Sequence, residues 1–542
     1  MKIDKTIKLS NAQSSKILVS SEASQALDAE AQTDWGLNGF ALVEAAGRLC
    51  AQRFSRAFPN LIHRRARITV AVGRGNNGAD AMAMLRHWIL GGLVEPSCSA
   101  VVVSRISGGN NDSPRMELFK SLKKLKVPVL LWDGDIGEAV GRAADHAMAQ
   151  SDIIVDGIIG TGIKGPLKGA SLEMVKAINA HKKPFVVSVD IPSGLSDNWE
   201  PGMPIINADV TLTIEPRKLC LYTPAARYYS GTILTVSGVF PNALIVKYTV
   251  AELLDWKKTR ARIPGIRPDA YKNKRGTVEI RAGSQGTTGA AHIAGRGAQA
   301  AGAGLIRLVV DDDIYPILAS QVGGVMVFPA SNPNSADFNA DAILLGPGWG
   351  KAQDRVPVLE QALELEKKGI PLILDADAIE LAKDKVFNGN AIITPHPGEF
   401  SKFSGIETEK LLHNPGPTLL EYARERKAVI IFKGHVITIA APDGRMGVVD
   451  GMAPVLAAGG SGDLLAGFCA AIAARMAREG SYCGYTCAAL AASLLIESGN
   501  SRKFKVRFTD PLELAGRAAE LAGAVWLKAP LSGTLKKGRV ND

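Results

Sequence analysis

Residues 68–90 read ITVAVGRGNNGADAMAMLRHWIL. A run of β-branched and small apolar residues (68–72) gives way to Gly73, Gly75 and Gly78, and then to an apolar segment at helical spacing. Strand, glycine turn, helix is the context in which backbone N–H groups at a helix start can hold a phosphate. A G-x-G-x-x-G turn can also exist only because glycine lets the chain turn tightly, so the neighbouring sequence has to decide.

Outward from this stretch, residues 22–57 carry helical apolar spacing, and short apolar runs follow at 99–105, 128–133, 152–160, 184–192, 209–214 and 231–240. Continuous apolar strands alternating with helices predict a parallel sheet covered on both faces, a Rossmann-like doubly wound layer. Between 241 and 275 a proline-containing basic stretch interrupts the pattern. A second alternation then runs through 276–284, 305–310, 342–348, 371–377, 390–399, 428–435 and 436–444 and ends in helices after Gly462. The expected division is a disordered start (1–20), a first α/β domain (21–245), a linker and lead-in (246–275), a second α/β domain (276–530) and a tail (531–542). With 542 residues the chain exceeds the roughly 250–300 at which one core stops growing.

Hydrophobic residues make up 46% of the chain and charged residues 21%, a globular composition. No apolar run reaches the roughly 20 residues of a membrane helix and the start lacks a signal-like core, so a cytoplasmic protein without a membrane partner is expected. The six cysteines form no CxxC pair and are expected to be buried free thiols. A net charge of +10 suits nucleic acid, a membrane surface or an anionic small molecule equally. The basic runs are scattered with little aromatic interleaving, which favours a phosphate-bearing small molecule over nucleic acid.

In the first domain Asn76, Asn77 and Asp80 lie on the first turn, Asp156 before a second G-x-G-x-x-G (Gly160, Gly162, Gly165), and Asp190 with Ser193 in DIPSG. All sit at carboxyl ends of predicted strands, where a doubly wound sheet gathers them into one crevice. Amide, carboxylate and hydroxyl oxygens are hard ligands suited to an alkali or alkaline-earth cation. An ordinary NAD dehydrogenase would place an acid at the end of the next strand, where this chain has Arg105.

NNGAD, DGIIGTGIKGP and VDIPSGL resemble the signature segments of the NAD(P)HX epimerase family over residues 20–240. The resemblance implies that Asn77, Asp156 and Ser193 help hold a potassium ion. It also implies that Asn76, Asn77, Gly78, Ala79, Asp80, Gly160, Thr161, Gly162, Ile163, Lys164, Gly165, Pro166 and Asp190 contact a hydrated dinucleotide. Ala79 stands where the family commonly has glycine. Asp190 is the candidate for proton transfer during inversion of the hydroxyl-bearing ring carbon.

In the second domain AAGGSGDLLAGFCAAIAARM (457–476) puts small residues and Asp463 at the start of an apolar helix. Such a start can form an anion hole beside a carboxylate able to accept a hydroxyl proton. No GxxxxGK[ST] occurs, which excludes a P-loop site. Together with 283–310, GPGWG (346–350), DADAI (375–379), TPHPGEF (394–400) and FKGHVITIA (432–440), this order resembles the ADP- or ATP-dependent NAD(P)HX dehydratases over residues 260–530. These are relatives of the ribokinase-like kinases. Ala290, Gly350, His396 and Asp463 would then face substrate, with Asp463 as the catalytic base. Lys433, Gly434, His435, Val436, Ile437 and Gly462 would contact the nucleotide, which brings magnesium. Thr287, Ala270–Tyr271 and VVDGMAPVLAAGG depart from the usual family pattern.

The expected function is repair of hydrated NADH and NADPH by epimerisation and nucleotide-dependent dehydration, by a homo-oligomer. The alternatives are a ribokinase-like kinase of a small hydroxylated metabolite fused to a non-catalytic nucleotide-binding module, and an RNA-contacting first domain.

Overall fold

The computed structural model describes residues 16–104, 113–132, 139–263, 265–266, 269–350, 354–500 and 509–526. Arg105 and the tail 531–542 lie outside the described residues. The chain forms two compact units that divide at Leu253, with Leu412–Asn414 grouped with the first. No described helix is long and apolar enough to cross a membrane.

The first unit is built on a seven-stranded parallel sheet. Its order is Val129–Leu131, Ser99–Val103, Ile68–Val72, Ile153–Gly157, Phe185–Val189, Val210–Ile214, Thr232–Val236. The apolar runs are continuous because both faces are covered. Val70, Val101, Val155 and Val187 point into one core with helices Gly39–Ala57 and Asn76–Leu90. Their neighbours Ala71, Val102, Ile154 and Val186 point into another, with Met148, Met174 and Ile178. Strand order reverses between Ile68–Val72 and Ile153–Gly157, which opens the crevice at their carboxyl ends.

The glycines at that reversal have packing duties. A Cβ on Gly73 would lie 1.7 Å from the Ile158 carbonyl oxygen, and one on Gly157 would lie 2.5 Å from Ala81 Cβ. The buried Arg115 donates from Nε to the Gly73 carbonyl at 2.9 Å and braces the same turn. Gly73→Ala is therefore expected to destabilise the first unit by about 1–3 kcal/mol or more, read as a lowered denaturant midpoint. An unchanged midpoint would mean that the turn relaxes freely.

Two expectations about the start and the linker need correction. Residues 17–19, assigned to a disordered start, form strand Ile17–Val19. It pairs parallel with Arg217–Lys218 and antiparallel with Ala251 and Glu252. The triplet is buried against Leu27, Ala31, Leu244 and Ile245, which outweighs its polar surroundings in sequence. Likewise 246–275 is not a bare linker: it contains strand Ala251–Leu254 and helix Trp256–Thr259, with Leu254 and Trp256 buried.

The second unit orders its strands Met326–Pro329, Leu305–Val310, Thr277–Arg281, Ala342–Leu345, Leu372–Leu374, Ile392–Ile393, Val429–Phe432, Val436–Ala440, Met446–Asp450. The first seven run parallel; the last two join as an antiparallel hairpin. Alternate residues again divide between two cores, Ile280 and Leu344 on one side, Leu345 and Leu374 on the other. This is the second α/β layer expected.

Helix Thr288–Ala300 packs on helix Ser461–Arg478 almost backbone to backbone. A Cβ on Gly467 would meet the Ala294 carbonyl oxygen at 2.3 Å, and one on Gly297 the Leu464 carbonyl at 2.7 Å. That close approach holds the starts of both helices in place, and Asp463 lies in the first turn of the second.

Candidate functional site

In the first unit a cavity of about 790 Å³ opens at the strand-order reversal, within the range of small-molecule sites. Its walls include Gly75, Asn76, Asn77 and Asp80, Gly160 to Gly162, and Asp190, so it brings together residues from all three sequence motifs. Ile163, Lys164, Gly165 and Pro166 are not among the lining residues. Gly78 and Ala79 are buried behind the turn.

Helix Asn76–Leu90 begins after Gly75 with no side-chain cap, leaving first-turn N–H groups available to an anion. A Cβ on Gly75 or Gly162 would meet nothing within 4 Å, so these two glycines leave room for a ligand.

Asp190 adopts a left-handed backbone, φ 66°, rare for a residue with a side chain. Its Oδ1 accepts from the Ile214 amide at 3.1 Å and from Lys218 Nζ. Lys218 is only 3% exposed and also donates to the Ile214 carbonyl at 2.8 Å. Asp28, on helix Ser21–Thr33, lines the same cavity. Burial pushes the Asp80 carboxyl well above its ordinary range, aided by Asp190 and Asp28 and opposed by Lys218. Burial also raises Asp28.

Sequence reasoning missed Lys218 and Asp28. The available signal for Lys218 was a lysine just beyond the carboxyl end of strand Val210–Ile214, leading into the buried Cys220–Tyr222. Asp28 had none beyond its helical spacing.

Asp156 is fully buried. It accepts from Ser188 Oγ at 2.7 Å, the Ser193 amide at 2.9 Å, Ser193 Oγ at 2.5 Å and the Ile158 amide at 3.2 Å. Asn77 is 8% exposed, yet neither its Oδ1 nor its Nδ2 has a hydrogen-bond partner. A Cβ on Gly160 would lie 3.3 Å from Asn77 Cβ, which places the orphaned amide beside the second glycine turn. Of Asn77, Asp156 and Ser193, only Asn77 is unsatisfied among the described residues, and its amide oxygen is of the hard type that alkali and alkaline-earth cations take.

The second unit assembles its motifs at strand carboxyl ends in the same way. Gly346, Gly348 and Gly350 all have positive φ, and a Cβ on Gly348 would come within 2.8 Å of Ala290 Cβ. Thr287 Oγ1 donates to the Gly348 carbonyl at 2.7 Å. The departure at Thr287 thus ties the 284–290 turn to the GPGWG loop. The Gly350 amide donates to Asp377 Oδ2 at 2.8 Å.

Lys433 Nζ donates to the buried Asp375 at 2.7 Å and lies 3.6 Å from Glu399 Oε2. A Cβ on Gly462 would lie 3.3 Å from the same ammonium. Burial would lower Lys433, but Asp375, Glu399 and Asp463 together hold it above its ordinary value. Asp463 is raised to about 6 by burial and by Asp375 and Glu399, against the pull of Lys433. A half-buried carboxylate titrating near neutrality, beside a lysine and an uncapped helix start, is equipped to accept a hydroxyl proton next to a bound anion.

His396 has a structural duty: Nδ1 accepts from the Gly398 and Glu399 amides at 3.0 and 3.3 Å and caps helix Pro397–Ser404. The ring stays 55% exposed, with Nε2 3.4 Å from Glu399. Val436 and Ile437 have buried side chains, so only their backbone could meet a nucleotide. Gly434 and His435 are exposed. Asp375 and Glu399 are functional candidates that lay inside the motifs but to which sequence reasoning assigned no role.

Two α/β units, one with a cavity lined by Asp190 and Lys218, the other with an uncapped helix start beside Asp463 and Lys433, have the arrangement of a two-site enzyme. Residues 39–220 match the family described as YjeF-related protein N-terminus, and 278–509 the family described as NAD(P)H-hydrate dehydratase. The bifunctional NAD(P)H-hydrate repair enzyme of Gloeobacter violaceus is 30% identical over 459 residues, covering 80% of this chain and 84% of that protein. That of Moorella thermoacetica is 29% identical over 476 residues, covering 84% and 87%. The ADP/ATP-dependent NAD(P)H-hydrate dehydratase of Bacillus subtilis, crystallised with ATP/Mg2+, is similar at 24% identity and a TM-score of 0.45, over 50% of this chain and 99% of that one. The chain belongs to the family of bifunctional NAD(P)H-hydrate repair enzymes.

Proposed function

We propose that the first unit interconverts the two epimers of hydrated NADH and NADPH and that the second dehydrates one of them at the expense of ADP or ATP. The observation that carries this reading is Asp463, raised to about 6 beside Lys433 at an uncapped helix start, in a chain whose relatives are repair enzymes.

In the second unit Asp463 takes the proton of the ring hydroxyl as that oxygen attacks the terminal phosphorus, and the nucleotide leaves one phosphate shorter. The first-turn N–H groups after Gly460 and the Lys433 ammonium stabilise the developing charge. The carbon–oxygen bond then breaks, phosphate departs, the nitrogen lone pair forms the ring iminium, and loss of a proton from the adjacent carbon restores the dihydronicotinamide. Magnesium bound with the nucleotide would add charge neutralisation to that of Lys433 and the first-turn N–H groups.

In the first unit Asp190 handles the proton during inversion of the hydroxyl-bearing carbon. Asn77, Asp156 and Ser193 would hold potassium, which would supply fixed positive charge beside the dinucleotide phosphates. Gly75 and Gly162 leave room for the dinucleotide, and Asn76 starts the helix whose amides face its phosphates.

Because Asp463 must be ionised to act as base, the dehydration rate is expected to fall tenfold per pH unit below about 6. A flat profile from pH 5 to 8 would remove Asp463 from that role. Release of inorganic phosphate in step with recovered dihydronicotinamide absorbance tests the reaction class. A stable phosphorylated product with no released phosphate would favour the small-metabolite kinase.

A further inference from the structure

In the cavity of the first unit, Asp190 accounts for one proton transfer. Exchanging the hydroxyl from one face of the ring carbon to the other needs two: an acid to release the departing oxygen and a base to activate the incoming one. Asp80 and Asp190 both line the cavity, from different elements. Asp80 is the fifth residue of helix Asn76–Leu90, and Asp190 follows strand Phe185–Val189. Their surroundings differ in one decisive respect. Asp190 has a buried ammonium, Lys218, bonded to its Oδ1, whereas no hydrogen bond or ion pair to Asp80 is present among the described contacts.

We infer that Asp80 is the general acid that complements Asp190 as base, and that Lys218 is the positioning residue that keeps the two roles apart. The inference rests on the epimerase reading above.

The step balances as follows. The Asp80 carboxyl gives its proton to the ring hydroxyl, the carbon–oxygen bond breaks, and water leaves as the nitrogen lone pair forms the iminium. Water then adds to the opposite face, the π electrons return to nitrogen, and the Asp190 carboxylate takes the proton that the water loses. Asp80 is left ionised and Asp190 protonated, and exchange with solvent resets both. In the opposite direction the two exchange roles.

The environment supports this division. Burial, Asp190 and Asp28 favour a protonated Asp80, and Lys218 lies against Asp190. A buried carboxyl that favours its proton, sharing a cavity with one bonded to an ammonium, offers an acid and a base. Arg74 and Lys168 also line the cavity; the other titratable neighbours are the buried thiols Cys50 and Cys220, both raised by burial and therefore uncharged, and Asp197, itself raised by burial.

The test uses the full chain and separated epimers of hydrated NADH in ¹⁸O-water without added nucleotide. Asp80→Asn is expected to slow interconversion about a hundredfold or more, and each inversion by the native chain is expected to carry one solvent oxygen into the product. Lys218→Met is expected to slow interconversion about tenfold or more, and Lys218→Arg, which keeps a charged donor, to restore most of the rate. Far-UV circular dichroism and the unfolding midpoint of the first unit check that each variant is folded.

Near-native interconversion by Asp80→Asn, or inversion without label, would overturn the inference. So would a Lys218→Met variant as fast as the native chain, or a slow one that Lys218→Arg does not rescue. Should Lys218→Met fail to fold, Asp80→Asn and the label decide alone. If the native chain leaves the epimers unchanged, it is the epimerase reading itself that fails.

Discussion

Asp463→Asn is expected to lower dehydration of hydrated NADH about a hundredfold to ten-thousandfold, the range for loss of a positioned general base, while epimerisation continues. Asparagine keeps the shape but cannot accept the hydroxyl proton. The substitution should leave the second unit as stable or more so at neutral pH. A carboxyl raised from 3.8 to about 6 opposes folding progressively as pH rises from about 4 through 6, and the amide removes that opposition. Loss of activity with an unchanged or raised unfolding midpoint separates chemistry from folding; retained activity would reassign the base.

Asp190→Asn is expected to lower epimerisation by a comparable factor, about a hundredfold to ten-thousandfold, and to leave dehydration of the accepted epimer intact. Here stability should suffer. Lys218, 3% exposed, then faces a neutral amide oxygen and the Ile214 carbonyl in place of a carboxylate, and a buried charge stripped of its counter-charge typically costs about 3–5 kcal/mol. A lowered midpoint for the first unit alongside normal dehydration is the expected pair of results. An epimerisation rate unaffected by the change would remove Asp190 from the chemistry.

Most of the fold was legible because buried parallel strands announce themselves as continuous apolar runs: all seven strands of the first sheet lie inside the predicted segments. Strands that are short or lie at a sheet edge were not. Ile17–Val19 is three residues long, and Met326–Pro329 is an edge strand with Met326 exposed and a terminal proline. Either reads locally as loop. The antiparallel hairpin ending the second sheet was equally invisible, since direction leaves no trace in a run such as Val436–Ala440.

The sites were legible where a motif was contiguous. The glycines of GRGNNG were read together as a ligand turn. The structure divides them, with Gly73 and Gly78 needed for chain packing and Gly75 for open space. Residues that reach a site from elsewhere escaped. Lys218 and Asp28 join the first cavity from segments with no recognisable spacing. Asp375 and Glu399 gain meaning only when Lys433 is seen between them. Charge clusters of that kind are made by topology, and a one-dimensional pattern does not encode which strand ends become neighbours.

The most direct test of a two-site repair enzyme is recovery of dihydronicotinamide absorbance from a mixture of both hydrated NADH epimers, with magnesium, potassium and either ADP or ATP. The native chain should restore the full absorbance, Asp190→Asn only the part held by the accepted epimer, and Asp463→Asn none. No recovery by the native chain with either nucleotide would contradict the account.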